Sequence, residues 1–278
     1  MDGRLSSMPF MKMHGLGNDF VVIDLRAGGQ TPDAALMRRL ADRHRGVGFD
    51  QLALIEASHG SDLKITFFNA DGSASAACGN ATRCIAAREM DNVGQQALEI
   101  EIAGRGLPLK ARRAPGGEVS VNMGHPLTDW RDIPLAQEMD TLALPLPGGP
   151  TATGMGNPHC TFFVPDARAV DLATRGPEIE RHPLFPERTN VQFATILDEG
   201  RIRMRVWERG TGITLASGSS SCATAVAAAR RGLTGRAVEI VLDGGSLAIH
   251  CQEEGVWMSG PTAHVFDGVL TASYLASL

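Results

Sequence analysis

Lysine is scarce in this chain: Lys12, Lys64 and Lys110 are the only three among 26 basic residues, and none sits in a context suited to a Schiff base, which argues against a pyridoxal-type enzyme. Long apolar runs are missing too. Nothing approaches the roughly 18 residues of a membrane-spanning helix, and Met1 to Met13 lacks the apolar core of a secretory signal. Cysteine is sparse and odd in number, five in 278 residues, which suits thiols in a reducing cytoplasm better than a disulfide framework. Cys78 and Cys84 lack the close paired spacing of a zinc site, as does His159-Cys160, so no metal ligand set emerges. Gly15-Leu16-Gly17-Asn18 and Gly154-Met155-Gly156-Asn157 fall short of a dinucleotide loop, because Phe20 and His159 occupy the third glycine position. A net charge of -5 provides no electrostatic footprint for nucleic acid.

What is present is a 43% hydrophobic chain long enough for two medium domains. Short aliphatic runs separated by Gly, Asp and Pro predict strands at 20–25, 52–55, 63–68, 98–102, 119–122, 160–164, 191–196, 202–207, 237–242, 247–251 and 256–259. Helical patterns are fewer, at Pro32 to Arg43 and Ala167 to Arg175 and in two Ala-rich stretches. The Pro/Gly-rich stretch Leu144 to Gly156 reads as a loop, and a domain boundary falls near Met123-Gly124. The layout is α+β rather than a regular βαβ series.

The two Ala-rich stretches carry the chemistry. Ala77-Cys78-Gly79-Asn80 leads into Ala81-Thr82-Arg83-Cys84-Ile85-Ala86-Ala87-Arg88, and Ala216-Ser217-Gly218-Ser219-Ser220 leads into Ser221-Cys222-Ala223-Thr224-Ala225-Val226-Ala227. Alanine favours helix, and Asn or Ser before such a run favours an N-cap, so Cys78 and Ser217 are placed at two helix N-termini. A helix start presents unpaired N–H groups and a partial positive charge, a natural dock for a carboxylate. The same field lowers a thiol from its usual value of about 8.5, making Cys78 a candidate thiolate base. A serine begins as a far weaker acid and stays protonated without an adjacent base. The plainer reading of Cys78 is a small packing residue. Cys84 and Cys222, inside the helices, are expected in the core.

Taken together, His14-Gly15-Leu16-Gly17-Asn18-Asp19-Phe20, Gly48-Phe49-Asp50-Gln51, Phe68-Asn69-Ala70-Asp71-Gly72-Ser73, Cys78-Gly79-Asn80 with Arg83-Cys84, Gly156-Asn157-Pro158-His159, Thr189-Asn190-Val191, Glu208-Arg209-Gly210 and Met258-Ser259-Gly260-Pro261 resemble the diaminopimelate epimerase family of cofactor-independent amino-acid epimerases and racemases, over nearly the whole chain. The resemblance implies two similar domains, each a curled, mostly antiparallel sheet or barrel around a central helix, with the active site in the cleft between them. Residues 1–123 with a returning C-terminal strand within 264–278 form the first, and 124–263 the second. It implies no cofactor and no metal, a small amino-acid substrate, a cytoplasmic enzyme of lysine and peptidoglycan biosynthesis, and no nucleic-acid or membrane partner. A homodimer is compatible with it.

The family's two catalytic cysteines match Cys78 and position 217, one removing the α-proton of LL-diaminopimelate from one face and the other returning a proton to the opposite face to give the meso isomer. By position Asn18, Gln51, Asn69, Asn157, Asn190, Glu208 and Arg209 match the substrate cradle, with Arg209 suited to a bidentate grip on the distal carboxylate. Gly79, Asn80, Gly218 and Ser219 match the backbone donors at the reacting carboxylate, and His159 is expected to support Glu208 or the substrate amine. Plainer roles are an Asn that caps a turn and a surface ion pair for Glu208 and Arg209. The family pattern at the second site is Ala-Cys-Gly-Thr-Gly; this chain has Ser at both 217 and 220. Three readings follow: an epimerase with Ser217 in the second base position, a single-cysteine racemase or dehydratase acting on another amino acid, and a non-catalytic amino-acid-binding protein.

Overall fold

A computed structural model describes residues 7–75 and 78–277, so Ala77 of the first motif lies outside the described residues. The chain divides into two compact units, residues 1–119 with 262–278, and residues 120–261.

In the first unit, β1 (Met8–Gly15) and β2 (Asn18–Asp24) form an antiparallel hairpin. Its two-residue turn has positive φ at both Leu16 (56°) and Gly17 (83°), the I′ geometry whose twist matches the strands it joins. After α1 (Ala34–Ala41), capped by the Asp33 side chain, β3 (Gln51–Glu56) lies parallel to β2. β4 (Leu63–Asn69) and the two-residue β5 (Ala74–Ser75) continue antiparallel and lead to α2 (Gly79–Val93). β6 (Ala97–Ile102) returns parallel to β4 and pairs with β7 (Leu109–Arg113). α2 packs on β1, β2, β6 and β7.

The chain crosses into the second unit along β8 (Val119–Asn122) and then repeats this plan. β9 (Thr151–Gly154) and β10 (Pro158–Phe163) are antiparallel. α3 (Leu172–Glu180) precedes β11 (Asn190–Asp198), which is parallel to β10. β12 (Arg201–Glu208) and β13 (Gly212–Ile213) lead to α4 (Gly218–Arg230), after which β14 (Ala237–Val241) returns parallel to β12 and continues into β15 (Ser246–Gln252) and β16 (Gly255–Gly260). β17 (Ala263–Leu270) belongs to the first unit, antiparallel to β1, and α5 (Ala272–Ala276) follows. Each unit is thus an open mixed ladder, antiparallel pairs predominating, with one buried helix laid against it. The described pairings do not close either ladder into a barrel.

Two expectations change. Leu144 to Gly156 is not all loop, because Thr151–Gly154 is fully buried and pairs with β10; its Thr-Ala-Thr-Gly has no aliphatic run to announce a strand. The helix expected over Ala167 to Arg175 is a 3₁₀ turn at Ala167–Ala169 followed by α3, since Asp171 accepts from the Thr174 N–H and starts a new helix there.

Gly176 on α3 permits a close approach in the second unit: a Cβ there would lie 2.5 Å from the Trp207 ring. Trp207 is fixed from its other end, its indole N–H donating to Glu180 at 2.7 Å. Gly176→Ala should therefore destabilise the protein by about 1–3 kcal/mol in urea unfolding, overcoming the ~1 kcal/mol that alanine gains in helix propensity.

Candidate active site

The two halves correspond residue by residue. Asn18 and Asn157, Gln51 and Asn190, Asn69 and Glu208, and Cys78 and Ser217 are each separated by the same 139 positions. Backbone register agrees, for Gln51 lies opposite Phe20 in one parallel pair and Asn190 opposite His159 in the other. Cys78 is the N-cap of α2 at φ -142°, ψ 99°, and Ser217 the N-cap of α4 at φ -140°, ψ 117°. In both helices the hydroxyl four residues on, Thr82 or Ser221, donates to the cap carbonyl at 2.8 Å. The N–H groups of Gly79 and Asn80, and of Gly218 and Ser219, precede the first intrahelical bonds, which start at Thr82 and Ser221.

The side chains at the caps differ. Cys78 Sγ accepts from the Ala81 N–H at 3.5 Å and lies 3.7 Å from Asn18 Oδ1. That oxygen also accepts from Asn80 Nδ2 at 3.1 Å, while Asn18 Nδ2 donates to Asp50 at 2.9 Å. Asp50 is itself held by Arg43, which also grips Asp19. Burial alone would raise the Asp19 carboxyl, but hydrogen bonds and charge from Arg43 and Lys12 bring it down to about 2. Gln51 Nε2 donates to Ser75 at 2.9 Å and reaches Asn69 Oδ1 at 3.5 Å, and Asn69 Nδ2 donates to Ser73 Oγ. Asn18 and Asn80 therefore meet at Cys78, while Gln51 and Asn69 face each other and are held by Ser75 and Ser73.

In the second unit Ser217 makes no side-chain cap bond. Its hydroxyl donates to Glu208 Oε2 at 2.8 Å and lies 2.9 Å from Ser220 Oγ, and Glu208 Oε1 accepts from Thr214 at 2.6 Å. Asn190 is a strut: Nδ2 donates to the Pro158 carbonyl and Oδ1 accepts from the Arg209 N–H. Arg209 itself donates to the Glu187 carbonyl at 3.0 Å. His159 faces Asn157 Oδ1 through Nε2 at 2.8 Å and Gln192 Nε2 through Nδ1 at 3.0 Å. Its route towards Glu208 runs through Ser220 and Ser217.

Sequence reasoning passed over Gln192, Thr161 and Thr214, and marked Ser220 only as a departure from the family pattern. Two signals were available: Gln192 shares a strand face with Asn190 two residues earlier, and Ser220 lies three residues along the helix from Ser217. Cys84 and Cys222 are buried in the helices as expected, and burial pushes the Cys84 thiol up to about 11. Among the described residues no group of three or more His, Cys, Asp or Glu is placed to hold a metal, and no helix is long and apolar enough to cross a membrane.

The family model for diaminopimelate epimerase matches residues 10–128 and 151–265. The chain belongs to the diaminopimelate epimerase family. It is 53% identical over 273 residues to a diaminopimelate epimerase of Rhodospirillum centenum, covering 96% of this chain and 93% of that one. It is 50% identical over 276 residues to one of Acidiphilium cryptum, covering 98% and 99%. Among solved structures, a hydroxyproline epimerase of Agrobacterium vitis with bound trans-4-hydroxy-L-proline superposes with a TM-score of 0.67 at 14% identity, over 97% of this chain and 93% of that one. A phenazine biosynthesis protein of Bacillus anthracis gives 0.66 at 15% identity, over 95% and 99%. At those identities the likeness is one of fold.

His159 is wholly buried, and burial, aided by the Arg209 charge, lowers it to about 3. Its unfolded value is near 6.5, so the neutral ring contributes stability that is complete above pH 6.5 and is lost as pH falls towards 3. ¹⁵N NMR should find His159 neutral with its proton on Nε2 at pH 5–8. The loss of stability between pH 6.5 and 3 should be smaller in His159→Gln.

Proposed function

We propose that this chain epimerises LL-diaminopimelate to meso-diaminopimelate without a cofactor, using Cys78 on one face of the α-carbon and Ser217, backed by Glu208, on the other. The observation that carries this reading is the matched pair of helix caps in a diaminopimelate epimerase family chain, one bearing a thiol and the other a hydroxyl hydrogen-bonded to a carboxylate.

An amino-acid α-proton is weakly acidic, so the developing carbanion needs electrostatic support. Helix N-terminal N–H groups directed at the substrate carboxylate are suited to give it. Cys78 as thiolate takes the α-proton and becomes the thiol. Ser217 gives its hydroxyl proton to the carbon and takes one from the Glu208 carboxylic acid, leaving the carboxylate. In reverse, Glu208 carboxylate accepts the Ser217 proton while Ser217 removes the α-proton and the Cys78 thiol returns one to the other face. The enzyme thus alternates between thiolate with carboxylic acid and thiol with carboxylate, a single proton distinguishing the two sides. Glu208 takes on the base role that serine cannot fill alone. Asn18, Asn69, Gln51 and Asn157 offer amides to substrate, and Arg209 a guanidinium to its distal carboxylate. Gly79, Asn80, Gly218 and Ser219 contribute backbone donors. A cytoplasmic location keeps Cys78 reduced.

The same reading includes a homodimer. β17 has β1 as its described ladder partner, yet its Val265, Phe266 and Val269 are 53%, 48% and 60% exposed. A second copy covering that edge would bury an apolar strip that otherwise invites aggregation. Phe266→Glu should shift the sedimenting species to half the native mass.

The native protein in D₂O should exchange the α-protons of diaminopimelate and interconvert the LL and meso isomers. Cys78→Ala should lower kcat on the order of 10³-fold, and Ser217→Cys should raise the rate of inversion about tenfold or more, a thiol being the stronger acid. Native protein that exchanges no diaminopimelate proton, or turnover of other amino acids in its place, would sink the proposal.

A further inference from the structure

Glu180 stands out in α3. It is the last residue of the helix and only 2% exposed, whereas the residue 139 positions earlier, which ends α1 in the same way, is Ala41. Two further positions follow that contrast: Trp207 corresponds to Phe68 and Arg209 to Ala70. In the first unit Ala41 and Phe68 pack against one apolar cluster. In the second, a carboxyl group and an indole N–H take their places. A buried carboxyl group is unfavourable unless donors meet its oxygens, so its presence in one half only calls for a reason.

Both oxygens are met. Oε2 accepts from the Trp207 indole N–H at 2.7 Å, and Oε1 from the Gly210 backbone N–H at 3.0 Å. Arg188 Nη1 also stands 3.8 Å from Oε1, on a side chain 56% exposed, where an ion pair is worth little. The two hydrogen-bond donors bracket Glu208-Arg209, one just before the pair and one just after it. Between them the chain turns, the Thr211 N–H donating to the Glu208 carbonyl at 3.0 Å and Gly210 taking φ 75°. Glu180 thus ties the turn between β12 and β13 to the end of α3. The Glu208 side chain has supports of its own, Thr214 at Oε1 and Ser217 at Oε2. Arg209 is held chiefly through backbone: its own N–H donates to Asn190 Oδ1 at 3.0 Å and the next N–H to Glu180, while its guanidinium reaches the Glu187 carbonyl at 3.0 Å.

We propose that Glu180 is a positioning residue for substrate binding: by holding Trp207 and Gly210 together, it fixes the backbone from which Arg209 reaches the distal carboxylate of the substrate. This inference rests on the epimerase reading above. Both Glu180 oxygens are buried and occupied, so it acts through Arg209. A guanidinium on a long, flexible stem is placed only as well as the backbone that bears it, and a bidentate grip tolerates little misplacement. The first half has no use for such a clamp, because Ala70 stands where the second half has Arg209.

The test is Glu180→Gln, alone and combined with Arg209→Ala. Glutamine keeps the length of the side chain but has a single accepting oxygen, so its NH₂ group faces one of the two donors. KM for diaminopimelate should rise about tenfold and kcat should stay within about threefold, the signature of lost uniform binding. With Arg209→Ala the same substitution should lower kcat/KM by less than about twofold, since the group it places is gone. Equal fold losses in the two backgrounds, or a loss confined to kcat, would overturn the proposal. Trp207→Phe, which installs the residue of the first half, removes one donor and leaves Glu180 in place. Its KM should rise about threefold, and it carries the same comparison if Glu180→Gln does not fold; an unchanged KM would overturn the proposal. Hydrogen exchange reads the clamp without turnover: the Gly210 amide and Trp207 indole protons should exchange at least about tenfold faster in Glu180→Gln, and unchanged rates would overturn it. If the native protein turns over no diaminopimelate, the epimerase reading fails and the role of Glu180 in substrate binding fails with it, while faster exchange in Glu180→Gln would still uphold the clamp.

Discussion

Each half of this protein is organised by a helix with no free face. In α2 the run from Gly79 to Ala87 is buried, and in α4 the run from Ser220 to Ala228. Small residues predominate along these runs because strands approach from several sides, with Arg83 and Ile85 the bulky exceptions in α2. The first N–H groups of each helix have no earlier turn to accept them. The positive end of each helix dipole is left in the interior, and whatever sits at the cap inherits that field. Most of the other site features serve this constraint. The caps adopt extended backbone, hydroxyls one turn later return to the cap carbonyls, and the strand ends bring Asn18 to one cap and Glu208 to the other.

The halves solve the cap problem differently. In the first half Phe20, Val22, Ala53 and Ala81 are fully buried, and Cys78 Sγ accepts from the Ala81 N–H. Ser217 lies over His159, Thr161, Gln192 and Ser220, and its proton is passed to a carboxylate. The second half thus differs from the first in carrying polar groups at these positions and Glu208 where the first half has Asn69.

Much of the fold was legible from local pattern, since β2, β3, β4, β6, β10, β11 and β12 are short β-branched or aliphatic runs between turn residues. β1, β7 and β9 were not. Met8–Gly15 contains proline, lysine and histidine among its apolar residues, Leu109–Arg113 is mostly basic, and Thr151–Gly154 has no large apolar side chain. Each becomes a strand because a neighbour offers it a hydrogen-bonding edge, which no local window contains. The break between Ala167–Ala169 and α3 likewise depends on Asp171 turning its side chain back to cap the second piece.

From the sequence alone it follows that two helices begin at Cys78 and Ser217, and that one cap is a thiol and the other a hydroxyl. Those properties are local: small residues favour helix, caps favour residues with a short polar side chain, and acidity belongs to the atom. Only the tertiary structure decided the partners. It turned Glu208 onto Ser217, made Asn190 a strut between Pro158 and Arg209, set His159 against Asn157 and Gln192, and brought Ser220 into line behind Ser217. The reason is that a buried hydrogen bond has a direction as well as a partner, and that direction is set only when every neighbouring donor and acceptor, however distant in the chain, has its place.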